Sequence, residues 1–122
     1  MIIDELKTFK RVIKIVSCFD SVQIKNEYER LDLFVNNAGI LMTNFITEDE
    51  PQNMRKLFEV NVIASCICIK EAVNLMKDST GKGHVIVMNS ILGHRIPDLP
   101  KNLRPSFGLY PASTHALTAI CQ

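Results

Sequence analysis

Leu31-Asp32-Leu33-Phe34-Val35-Asn36-Asn37-Ala38-Gly39 carries more structural information than any other stretch of this chain. An apolar run, Leu31 to Val35, stops at a turn built from two amides, an alanine and a glycine. Short apolar runs closed by such punctuation are the pattern of a parallel strand covered on both faces. A second run, His84-Val85-Ile86-Val87-Met88-Asn89-Ser90, is rich in β-branched residues and predicts another buried strand. Between the two lies a long helical pattern: Met54, Leu57, Phe58, Asn61, Val62, Ser65, Cys66, Ile69, Val73 and Met76 recur three and four residues apart. Glu48, Asp49 and Glu50 ahead of Pro51 mark its start, where acids suit the helix dipole and proline suits the first turn. Gly81 and Gly83 mark its end.

Upstream, Ile2, Ile3, Leu6, Phe9, Val12, Ile13 and Val16 are also three and four apart, which predicts an amphipathic helix over Met1–Val16. Asp4 and Glu5 mixed among its lysines favour a core-facing helix over a membrane-binding one. Cys18 to Arg30 is more polar and aperiodic, and is read as further helix through Ile24 and Tyr28. Downstream, Gly93 to Leu109 holds Pro97, Pro100 and Pro105 with Arg95, Lys101 and Arg104. Irregular connections of that length are uncommon and usually functional. Tyr110-Pro111-Ala112-Ser113 then opens a last helix through Ala116, Leu117 and Ile120. Helix, strand, long helix, strand, loop, helix is the order of an α/β fold with a parallel sheet and right-handed crossovers. Ligands in such sheets sit beyond the carboxyl ends of the strands. The turns Asn36–Gly39 and Ser90–Gly93 both fall there, and share one crevice if their strands are neighbours.

The 122 residues suffice for one small domain, and 47% hydrophobic with 22% charged residues is the balance of a globular protein with a core. A net charge of +1 supplies no field for nucleic acid or an anionic membrane surface. Lys, Glu and Asn interrupt every apolar stretch before spanning length, and Lys7, Lys10, Arg11 and Lys14 break the pattern of a signal peptide. A cytoplasmic protein is expected. Cys18, Cys66, Cys68 and Cys121, with His84, His94 and His115, have no metal-ligand spacing, so the cysteines are read as reduced and structural.

Taken singly, the notable residues have ordinary readings. Asn36 and Asn37 are good turn formers, Ser90 suits a strand end, Tyr110 suits packing at a helix start, and His94, Arg95 and Lys101 suit a solvated loop. No histidine and acid stand in hydrolase order around Ser90. Taken together, Asn36-Asn37-Ala38-Gly39, Asn61-Val62, Ser90-x-x-Gly93 and Tyr110, in that order and spacing, resemble the short-chain dehydrogenase/reductase family over residues 31–122. Ser90-Ile91-Leu92-Gly93-His94-Arg95 and Tyr110-Pro111-Ala112-Ser113 look like its branch of insect farnesol dehydrogenase-like and broad-range carbonyl reductases.

The resemblance implies a partial Rossmann-like, doubly wound parallel sheet, with residues 1–30 as a lead segment and 31–122 as the middle of an NAD(P)-binding domain. It implies hydride transfer between NAD(P)(H), with NADP favoured by the branch, and a small alcohol or ketone. Ser90 would hold the substrate oxygen, Tyr110 would act as acid or base, and Asn61 would order a water on the proton path. Asn36, Asn37, Ala38, Gly39 and Tyr110 would meet the cofactor, with Asn36 bracing the sheet and Asn37 the better contact. The helices carrying Asn61 and Ala116 would form a homo-oligomer interface.

Two departures accompany this likeness. The family's lysine, four residues after the tyrosine, is Thr114 here. A tyrosine is a poor base near neutral pH without a nearby positive charge, and a hydroxyl supplies none. His115 is one residue on, roughly 100° around the helix, and should face elsewhere. The family also binds pyrophosphate with a glycine-rich turn, and residues 1–35 contain no glycine. Impaired catalysis is therefore expected. The alternatives are a non-catalytic fragment or interaction protein of the same descent, and an incomplete sequence lacking both ends of the domain.

Overall fold

Three short parallel strands frame the chain in the computed structural model, which describes residues 12–15, 31–79, 82–98 and 107–122. Val12–Ile15 (β1), Leu33–Asn36 (β2) and His84–Val87 (β3) form one sheet in the order β1-β2-β3. Ile15 pairs with Asn36, and Asn36 in turn with Val87. β2 is the middle strand, which explains its unbroken apolar character: Leu33, Phe34 and Asn36 are buried and Val35 half-buried. β2 and β3 are direct parallel neighbours, and both deliver the chain to the same edge of the sheet. There the Met88 amide donates to the Asn36 carbonyl at 2.8 Å.

Two expectations need correction. The helix expected over Met1–Val16 is not formed at its end, where Val12–Ile15 is strand. Three of those four residues are β-branched, and pairing with β2 satisfies their backbone groups, so tertiary hydrogen bonding overrides the helical spacing. The rest of that helix, the segment Cys18 to Arg30, and Pro100, Lys101, Arg104 and Pro105 of the long loop lie outside the described residues. β3, expected to be buried, is only half so. Its His84 and Ile86 are exposed, and Val85 and Val87 half-buried. Among the described residues β3 pairs only with β2, so its apolar side chains lack a second neighbour.

The long helix starts at Pro51 as expected but is not one uniform coil. It consists of Pro51–Phe58 (α1), a π-helical segment Glu59–Ala64, and Ser65–Ser79 (α2). Leu57, Asn61 and Ser65 are buried at intervals of four. At α pitch, side chains four apart drift about 40° around the axis per step. The wider π turns take that drift back and keep all three on one face. A short 3₁₀ turn, Ile91–Gly93, follows Ser90, and the final helix is Tyr110–Ile120 (α3). No helix among the described residues is long and apolar enough to cross a membrane.

Two compact units are distinguished. The first, Met1–Asn37 with Ile67–Met88, holds the sheet, and its core is Leu31, Phe34, Ala72, Leu75 and Met76, flanked by Cys68, Ile69 and Val85. The second, Ala38–Cys66 with Asn89–Gln122, buries Leu57, Leu92 and Leu117. Among the described residues it also buries Asn61, Ser65, Ser113 and Thr114, and the first buries Asp32 and Asn36.

Candidate active site

Most of the residues singled out from the sequence belong to the second unit, and hydrogen bonds tie several of them together. Asn61 lies within the π-helical segment, 2% exposed. Its Oδ1 accepts from the Ile40 amide at 2.8 Å, and its Nδ2 donates to the Ile40 carbonyl at 2.9 Å. This reciprocal pair grips the peptide that follows Gly39. The second Nδ2 hydrogen goes to Ser113 Oγ at 3.1 Å, and Ser113 Oγ donates to the Tyr110 carbonyl at 2.8 Å. A continuous chain of bonds thus runs from the Gly39–Ile40 turn through Asn61 and Ser113 to the backbone of Tyr110. Both amide hydrogens of Asn61 are spent inside the protein, which makes its side chain a clamp on that turn.

Tyr110 is the first residue of α3 and half-buried; its amide donates to the Phe107 carbonyl at 2.9 Å. Ser90, also half-buried, has extended backbone at φ −109° and ψ 154° and precedes the 3₁₀ turn. Its Oγ accepts from the Leu92 amide at 3.2 Å, and among the described residues its own hydrogen has no acceptor. Position 114 is spent locally. Thr114 is 3% exposed, and its one hydroxyl hydrogen is shared between the carbonyls of Pro111 at 2.9 Å and Tyr110 at 3.2 Å. His115 follows it on the same helix. It is exposed, and its Nδ1 donates to the Pro111 carbonyl at 2.9 Å, on its own helix.

The remaining candidates divide between the units. Asn36 is the last residue of β2 and buried, whereas Asn37 is exposed; both lie in the first unit. Ala38, half-buried, and Gly39, exposed, begin the second. A methyl group on Gly39 would meet only Asn61 Oδ1, at 3.5 Å, an ordinary contact, and its φ is not in the left-handed range. Neither packing nor backbone geometry in this chain demands glycine there. That fits a surface which a ligand must approach closely. Residues 1–35 contain no glycine for a pyrophosphate-binding turn.

Sequence reasoning does not single out Ser113 or Asn89, the residues that bind these elements to one another. Ser113 had one available signal: a serine three residues into a helix can reach back to a carbonyl. The π-helical segment had none, because no Gly or Pro announces it.

Comparison with known proteins identifies the family. The profile of the short chain dehydrogenase family matches residues 15–122. The chain is 35% identical over 100 residues to farnesol dehydrogenase of Aedes aegypti, covering 81% of this chain and 39% of that protein. It is 32% identical over 109 residues to dehydrogenase/reductase SDR family member 11 of Mus musculus, covering 88% and 39% respectively. Among solved structures, ElxO with NADP bound aligns at a TM-score of 0.66 with 28% identity, over 80% of this chain and 37% of that one. A short-chain dehydrogenase/reductase from Serratia marcescens aligns at 0.70 with 25% identity, over 82% and 37%. The chain belongs to the short chain dehydrogenase family, an oxidoreductase family whose partial Rossmann-like α/β fold it shares. It spans about two fifths of the length of the relatives it matches.

Proposed function

We propose that the protein is of the type that transfers hydride between NADP(H) and a small alcohol or carbonyl compound, and that this chemistry is impaired in the chain as it stands. When bound, the nicotinamide supplies or accepts hydride at the substrate carbon. Ser90 Oγ, with its hydrogen uncommitted, donates to the substrate oxygen. The Tyr110 hydroxyl moves the proton to or from that oxygen. Ala38 and Gly39 form a surface against the cofactor, and Asn61 keeps the turn after them fixed to the helix of Tyr110. NADP is preferred over NAD by likeness to a relative solved with NADP.

The single observation behind the impairment is position 114. The side chain one helical turn after the tyrosine is uncharged, buried and bonded to Tyr110's own helix, so position 114 brings no positive charge to help the phenol release a proton. The test is turnover of a small ketone at high NADPH by the natural protein and by Thr114→Lys. A gain on the order of 10² or more is expected for the lysine variant. Equal rates would remove Thr114 as the defect, and micromolar NADPH binding by the natural chain would show that the pyrophosphate turn is dispensable.

A second reading, a non-catalytic protein that associates through its helices, is favoured by Ile63, a large apolar side chain left 46% exposed on a helix. Sedimentation equilibrium of the natural chain against Ile63→Glu distinguishes it, since only an association through this face would dissociate.

A further inference from the structure

Asn89, immediately before Ser90, makes three hydrogen bonds with one amide. Its Oδ1 accepts from the Ser90 amide at 2.8 Å. Its Nδ2 donates to the Thr114 carbonyl at 3.0 Å and to Thr118 Oγ1 at 2.9 Å, both on α3. Thr118 returns the contact, donating to the Gly93 carbonyl at 2.8 Å. Gly93 closes the arrangement: a Cβ built there would lie 2.7 Å from the Thr114 carbonyl oxygen and 2.8 Å from Asn89 Nδ2. The serine turn and the tyrosine helix therefore meet backbone to backbone, at a distance only glycine allows, and one side-chain amide spans the joint.

We propose that Asn89 is a positioning residue that sets the register of Ser90 against the helix of Tyr110, with Thr118 as its partner across the joint. This rests on the reading above, in which Ser90 and Tyr110 share one substrate oxygen. A shift of one hydroxyl relative to the other would then slow chemistry more than binding. Only an amide fills the role. The Ser90 amide finds its acceptor and the Thr114 carbonyl, which also accepts from Thr118 Oγ1 at 3.2 Å, a further donor, both on one planar group. Aspartate keeps the first bond and turns a carboxylate oxygen toward a carbonyl at the second.

Two measurements test it. In the natural protein, the Asn89 side-chain amide hydrogens should exchange with solvent at least about tenfold more slowly than a free amide. Thr118→Val should abolish that protection and Thr118→Ser should retain it. In the Thr114→Lys protein, Asn89→Ala and Asn89→Asp should each lower kcat by about tenfold or more with KM changed little. Side-chain exchange at the free rate in the natural protein overturns the proposal whatever the turnover shows. So does an Asn89→Asp protein with undiminished kcat. A Thr114→Lys protein that does not turn over at all, with Asn89 still protected, sinks the hydride-transfer reading and leaves the joint between Ser90 and α3 standing.

Discussion

Two glycines with the same substitution separate a position the fold needs from one it does not. Gly108 has φ +49° and its backbone abuts the Asn44 carbonyl, which a Cβ would strike. Gly108→Ala should therefore destabilise the protein by about 1–3 kcal/mol, from left-handed strain together with the clash. Gly39→Ala meets neither obstacle and should change stability by less than about 0.5 kcal/mol. Urea midpoints of the two variants check the contrast, and an equal loss at Gly39 would contradict the open surface described there. Asp49 offers a titration at the same level of detail. The side-chain amides of Asn44 and then Asn53, donating at 3.1 and 3.0 Å, hold its carboxyl below the ordinary value of 3.8. A depressed carboxylate stabilises the fold above its unfolded pKa and loses that contribution as pH falls through its folded pKa. Between about pH 5 and pH 3, Asp49→Asn should therefore flatten the fall in melting temperature, measured against the natural protein. The effect is small, because the carboxyl is solvated.

Among the elements, the π-helical segment and the 3₁₀ turn matter more to the candidate site than the regular helices. Asn61→Ala removes three hydrogen bonds at once and leaves the buried Ser113 Oγ and the Ile40 peptide without their partner. A loss of about 2–3 kcal/mol is expected, with the Ile40 amide among those whose exchange rises most. Unchanged exchange at Ile40 would show that the clamp is not what holds the turn. The long helical pattern was legible because its apolar residues repeat at helical spacing. Its local widening was not, because a π turn depends on what a polar side chain finds across the fold, and Asn61's partners lie 21 and 52 residues away. The strand Val12–Ile15 was misread for the same kind of reason: its spacing suits a helix, and its pairing with β2 is invisible from residues 1–16 alone.

For the molecule as a whole, the half-covered β3 is the consequential feature. Ile86, 42% exposed, lies on a strand whose outer edge has no neighbour among the described residues, and Met88 just after it is 54% exposed. Such an edge templates association. Ile86→Lys should reduce concentration-dependent light scattering without lowering the melting temperature, and unchanged scattering would place the association elsewhere. The linear order of residues was enough to establish a parallel α/β fold, its family, and a tyrosine standing where no lysine follows, because each of these depends on residue type and spacing along the chain. Three-dimensional packing alone settled that Asn61 clamps a turn, that Thr114 is consumed by its own helix, and that Asn89 joins Ser90 to α3. Those are hydrogen bonds, and an amide or hydroxyl chooses its partner by distance and direction in space, neither of which is written in sequence separation.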